Sequence, residues 1–159
     1  EVRVAVDETI RRDRDFSAVA HVADVAVVKV APLGGVRQAA RVIAELPVPV
    51  VVSGAAESSV GATRDARLAA ALPDTGLVHG LGTGTLLADD LATRPLLPSG
   101  GVVSALPVEV SPSAFARAAG RLDADRQAQW RDRLDRAWRV CLEHDLIHHE
   151  DLATLGVTA

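Results

Sequence analysis

Short valine-rich runs alternate with segments of helical spacing along the first half of this chain, and no other feature restricts its fold as much. Residues 2–6, 25–30 and 49–52 are apolar runs of strand length, and residues 76–81 form a weaker fourth. Residues 15–21 read as a short helix with Asp15 as its N-cap. Residues 36–46 place Val36, Ala39, Ala40, Ile43 and Leu46 on one helical face. Residues 58–72 form the next helix, stopped by Pro73. Turn signals separate the segments, among them Pro32-Leu33-Gly34-Gly35 and Gly82-Thr83-Gly84. Strands that alternate with helices at this spacing predict βαβ units and a parallel sheet. Their near-continuous apolar character predicts cover on both faces. The expected class is α/β.

After about residue 92 the pattern changes. Pro95, Pro98, Gly100 and Gly101 mark a loop, and residues 102–110 read as an edge segment or hairpin. A short helix is expected over 113–119. A long amphipathic one is expected over 123–144, with Trp130, Leu134, Ala137, Trp138, Cys141 and Leu142 on one side. The chain therefore divides into βα units over 1–92 and an extension over 93–159.

Composition narrows the function. The formal charge of −4 leaves no basic footprint for nucleic acid. No apolar run approaches the roughly 20 residues that span a bilayer. The opening Glu1-Val2-Arg3-Val4 is not a signal peptide. A single cysteine, Cys141, precludes an internal disulfide and fits a reducing cytoplasm. The chain has no methionine and opens directly on a strand-like run, which suggests an internal fragment of a longer protein; a processed chain is the other reading. Sixteen arginines stand against one lysine, Lys29.

Polar residues interrupt the strands at their carboxyl ends: Asp7, Lys29, Ser53-Gly54 and the Gly80–Gly84 segment. In barrels and open α/β sheets that edge collects ligands and catalytic groups. Asp7 there is a cation ligand or a turn cap. Lys29 is a proton-transfer group or focused cation whose charged form apolar neighbours would disfavour, or else a snorkelling strand-end residue. Ser53-Gly54 is a substrate contact or a plain turn. Gly80-Leu81-Gly82-Thr83-Gly84 reads as a phosphate cradle of backbone amides at a helix N-terminus, but it lacks the spacing of a nucleotide fingerprint and has no lysine beside it. Near the C-terminus Glu143, His144, Asp145, His148, His149 and Glu150 read as a solvated helix end, with a zinc site as the alternative.

Four stretches then resemble a known family. VRVAVDETIRR (2–12), ADVAVVKVAPLGGVR (23–37), PVVVSGAAESSVG (49–61) and GLGTGTLLADD (80–90) are similar, in order and spacing, to the C-terminal half of the o-succinylbenzoate synthase family of the enolase superfamily, in its actinobacterial form. The resemblance implies the C-terminal half of a modified (β/α)-barrel, from the fifth strand to the eighth. It implies Mg²⁺, with Mn²⁺ as a possible substitute, held in part by Asp7 of a D-E-S/T motif. It implies Lys29 as the catalytic lysine of a V-x-K strand, opposite a K-x-K lysine that this chain lacks. Substrate contacts are implied at Ser53, Gly54, Gly80, Leu81 and Gly82. The implied reaction removes the proton α to a carboxylate and eliminates water, a step towards menaquinone.

The implied partners are a small carboxylate substrate and an N-terminal half supplying the capping domain and first barrel strands. Alone, the chain should be inactive. The family often has serine where Gly54 stands and leucine where Ala56 stands, which opens a second reading. In it Gly54 widens the pocket for N-acylamino-acid racemisation. A third reading is a non-catalytic half-barrel binding module.

Overall fold

The computed structural model describes residues 2–12 and 16–144. Asp15 and the tail from Asp145 onward, with His148, His149 and Glu150, lie outside the described residues. The chain divides into two compact units, residues 1–116 and 117–159, with the boundary inside a helix.

The first unit is built on a parallel sheet. Strand β1 (Ala5–Val6) pairs with β2 (Val25–Val28), which pairs with β3 (Val50–Val52). Ala5 lies opposite Val25, and Ala26, Val27 and Val28 lie opposite Val50, Val51 and Val52. Helix α1 (Glu8–Arg12) follows β1, and the short α2 (Val19–Val22) leads into β2. Helix α3 (Val36–Glu45) connects β2 to β3, and α4 (Ser59–Ala71) follows β3. The βα alternation and the parallel direction are therefore those the sequence predicts.

Three expectations change. The run over 2–6 yields only a two-residue strand. The Asp24 carboxylate accepts the Val4 N–H at 2.8 Å, so a side chain takes a donor that the ladder would have used. The fourth run pairs with β3 only through a parallel bridge between Ser53 and Gly80. Here the His79 ring intervenes: its Nδ1 accepts the Val52 N–H at 3.0 Å. The predicted face of α3 is also rotated. Ala39 and Val42 are its buried residues, with Ile43 and Leu46 packed on the core, whereas Val36 is exposed.

The core lies between the sheet and its helices. Ala26, Val28, Val30, Val50 and Val52 pack with Ala39, Val42, Leu68 and Ala69. Each buried valine or leucine contributes roughly 1.5–3 kcal/mol. The expectation of strands covered on both faces holds fully for one face and only in part for the other, where Val25 is buried. Val27 and Val51 on that second face are half-buried, because three strands do not close around it.

The first turn of α4 is tied to the loop beyond it. Asp90 accepts the Ser59 N–H at 2.9 Å and the Ser59 hydroxyl at 2.8 Å. Ser59 Oγ in turn accepts the Leu96 N–H at 2.6 Å. Desolvation pushes the Asp90 carboxyl up, but hydrogen bonds from the Ala92, Ser59 and Leu91 backbone and the Ser59 hydroxyl outweigh it and leave its pKa below the usual value.

A 3₁₀ turn (Thr83–Leu86) follows Gly82. Helix α5 (Pro112–Gly120) carries the unit boundary. In the second unit α6 (Ala124–Glu143) starts at an Asp123 cap that accepts the Arg126 N–H at 2.7 Å. Along α6 Asp132 pairs with Arg136, and Arg133 lies over the Trp130 ring. Among the described residues no helix is long and apolar enough to cross a membrane.

Asp65 of α4 is only 2% exposed, and its Oδ2 has no hydrogen-bond partner. Burial pushes its pKa up to about 7, with Glu57 adding to the shift and Arg64 opposing it. A carboxyl raised in the folded state binds a proton that the unfolded chain releases near pH 4. Stability from this residue is therefore present at low pH and is lost as pH rises from about 4 to about 7. Asp65→Asn, neutral throughout, is expected to be more stable than the parent at pH 8 by on the order of 1–3 kcal/mol. The gain should shrink or vanish at pH 4.5 in thermal melts; an equal effect at both pH values would contradict this reading.

Candidate active site

Parallel pairing brings the carboxyl ends of β1, β2 and β3 to one edge. Asp7 follows β1 directly, Lys29 follows β2, and Ser53 and Gly54 follow β3. Lys29 shares the half-buried sheet face with Val27, because side chains alternate along a strand. Its ammonium therefore leaves the core and enters a cleft of about 370 Å³. Asp7, Glu8, Lys29, Gly54, Ala55 and Thr83 line that cleft, with Val27, Leu33 and Ala56 among its apolar walls.

Lys29 Nζ lies 2.8 Å from Asp7 Oδ2 and 3.4 Å from Glu8 Oε1. The sequence reading expected apolar neighbours to disfavour the lysine's charge, and the geometry reverses this. The hydrogen bond from Lys29 to Asp7 is the largest influence and raises the pKa. Desolvation opposes it, and the Asp7 and Glu8 charges complete a net upward shift. The lysine is thus a held cation.

The remaining predicted site residues separate. Gly54 lines the cleft beside Thr83. Ser53 directs its hydroxyl to the Gly80 carbonyl at 3.4 Å. Leu81 and Gly82 line a different, more apolar cleft with Ala66, Ala69, His79 and Val102. Gly80 closes the strand edge: its N–H donates to the Val52 carbonyl and its own carbonyl accepts the Gly54 N–H.

The site also contains residues not singled out in the sequence. Glu8 was legible as the acidic neighbour of Asp7. Thr83 stood in plain view between two glycines, but only the packing brings it against Gly54. Ala56 has φ +65°, a left-handed conformation that is uncommon outside glycine. Beside it the Glu57 carboxylate accepts the Ala55 N–H at 2.7 Å. In the sequence Ala56 stood out only as a departure from the family's leucine; its backbone conformation had no sequence signal.

Among the described residues no three His, Cys, Asp or Glu side chains form a metal cage. Asp7 and Glu8 supply two carboxylates at one mouth of the cleft, 42% and 59% exposed. Hard divalent cations take six or more oxygen ligands. The pair has the oxygen chemistry of such a site but supplies only part of its ligand set.

Comparison with known proteins bears on the whole arrangement. No protein-family model matches the chain. An o-succinylbenzoate synthase of Mycolicibacterium smegmatis is 42% identical over 149 residues, covering 92% of this chain and 44% of the relative. That of Thermobifida fusca is 49% identical over 117 residues, covering 72% and 37%. The chain is a homologue of the o-succinylbenzoate synthases. It spans less than half the length of these relatives. Among solved structures, muconate lactonizing enzyme from Pseudomonas fluorescens, complexed with muconolactone, superposes with a TM-score of 0.64 at 20% identity. The match covers 73% of this chain and 34% of that one. An enolase-superfamily protein from Enterococcus faecalis superposes with a TM-score of 0.56. The synthase homologue therefore shares the α/β fold of part of these two structures.

Lys29 carries the chain's only side-chain amine, which makes the ion pair easy to probe. A raised lysine pKa means that the pair stabilises the folded chain below the unfolded lysine value of 10.5. That contribution is lost as pH rises through the higher folded value. Asp7→Asn is expected to lower the Lys29 pKa and to speed its acylation at pH 9 several-fold, followed by peptide mass mapping. An unchanged rate would show that Asp7 does not hold the charge.

Proposed function

We propose that this chain is the C-terminal part of a Mg²⁺-dependent o-succinylbenzoate synthase, acting on a cyclohexadiene carboxylate in the cytoplasm on the way to menaquinone. The observation that carries the proposal is the Lys29–Asp7 pair at adjacent strand ends inside the cleft. The homology to synthases at 41–49% identity supports it.

The chemistry has a definite need. A carbon acid beside a carboxylate is weakly acidic, and removing its α-proton builds negative charge on the carboxylate oxygens. Mg²⁺, or Mn²⁺ in its place, would stabilise that charge when bound. Asp7 would contribute one ligand, and the other acidic ligands would come from an N-terminal half. Lys29 presents a fixed ammonium on one side of the cleft, suited to holding developing negative charge. The proton-abstracting base would be a lysine of the N-terminal half, across the substrate. Gly54, with the backbone at Gly80, would shape the far wall, and Ser53, Leu81 and Gly82 would act from behind it. The βα units over 1–92 would supply the chemistry, and the extension over 93–159 would be a separate segment.

Racemisation of N-acylamino acids on the same scaffold would make Lys29 an acid–base partner instead. Its motivation was a pocket widened at Gly54. Against it, a Cβ at 54 would lie 2.6 Å from Thr83 Oγ1, which supports a glycine that accommodates Thr83 rather than one that widens the pocket. A binding module without catalysis would give Lys29 no such ion pair to justify.

The assay joins this chain to an N-terminal barrel half and follows dehydration of the cyclohexadiene carboxylate. Lys29→Ala and Asp7→Asn should each reduce turnover by about 10²-fold or more. Rates within twofold of the parent for both would remove these residues from the mechanism. Solvent-deuterium exchange into an N-succinylamino acid without dehydration would favour the racemase.

A further inference from the structure

We propose that Thr83 is a ligand-binding residue of the cleft, with its hydroxyl donating to a carboxylate or carbonyl oxygen of the bound molecule. The inference rests on reading the cleft as a carboxylate site, and it names a contact absent from the predicted site residues.

Thr83 lines the same cleft as Lys29 and Asp7, beside Gly54. Its Oγ1 is buried and has no hydrogen-bond partner. An unpaired buried hydroxyl costs about 1–3 kcal/mol, so such a group calls for an explanation. Packing alone does not explain it, since valine has the same shape without the penalty. The hydroxyl rests against the bare Cα of Gly54. A Cβ added there would lie 2.6 Å from Thr83 Oγ1 and 3.4 Å from Glu57 Oε2.

The backbone around this contact is well held. The Gly54 N–H donates to the Gly80 carbonyl at 3.0 Å. The turn after Thr83 is closed by Thr85, whose hydroxyl donates to the Gly82 carbonyl at 2.8 Å. Gly84 is buried, with the Leu96 carbonyl 3.2 Å from where its Cβ would sit. The main chain thus keeps Thr83 in place while the side chain retains rotation about χ1 between staggered positions. Glycine at 54 leaves room for that turn. The cleft is the open side of the residue, so a ligand oxygen there can take the proton that the hydroxyl donates to nothing in the described structure.

This role predicts an unusual combination. Thr83→Val keeps the shape and removes the unpaired oxygen, so the protein should melt at a higher temperature than the parent. The same variant should bind o-succinylbenzoate about 10-fold more weakly by calorimetric titration. Thr83→Ser, which keeps the hydroxyl, should bind within about threefold of the parent. The protein for both measurements is the chain joined to its N-terminal barrel half, with turnover of the parent measured in parallel. Equal binding by the parent and Thr83→Val would overturn the inference, and if the parent still turns over, the proposed function would stand. A parent that binds but does not dehydrate, with Thr83→Val weaker, would sink the dehydratase and keep the contact. A parent that neither binds nor turns over would remove both. Loss of binding together with a lower melting temperature in Thr83→Val would assign the residue to structure and count against the proposal.

Discussion

Parallel strand pairing is the constraint from which the site follows. β1, β2 and β3 run the same way in a fixed register, so the residues that end them meet at one edge. Without that direction Asp7 and Lys29 are merely residues 22 positions apart. With it their charged atoms lie 2.8 Å apart. The register also decides which way Lys29 points. Ala26, Val28 and Val30 turn to the helices and are buried, so Lys29, in alternation with them, turns to the cleft.

The same sheet shows how one polar side chain sets the end of a regular element. His79 accepts a backbone N–H of β3 where the ladder of a fourth strand would continue, and a single bridge remains. Just beyond it Gly80 is bonded to both Val52 and Gly54. The strand edge is irregular there, and that irregularity brings the segment after Gly80 across Gly54. Thr83 reaches the cleft by this route.

Much of the fold was legible in the sequence because its signal is periodic. The runs ending near Val28 and Val52, the helices that became α3 and α4, and the long α6 are strong local patterns. What failed was decided between segments. Asp24 shortened the first strand by bonding Val4. The face of α3 turned towards Val42 because the core requires contact with β2 and β3, which the helix's own spacing does not encode. Of the site, Asp7 and Lys29 were legible as polar breaks in apolar runs. Glu8 was legible only as Asp7's acidic neighbour, and Thr83 not at all, since its approach to Gly54 is set by packing.

By itself the sequence determined the α/β alternation, the placement of polar residues at strand ends and the family relationship, all properties of local order along the chain. Only the tertiary structure decided that Lys29 is a held cation. Its charge depends on how far Asp7 and Glu8 lie from it, and distance across strands is not written in either strand. Only the tertiary structure, likewise, set Thr83 against Gly54, because a glycine's missing side chain matters only where another residue arrives to use the space.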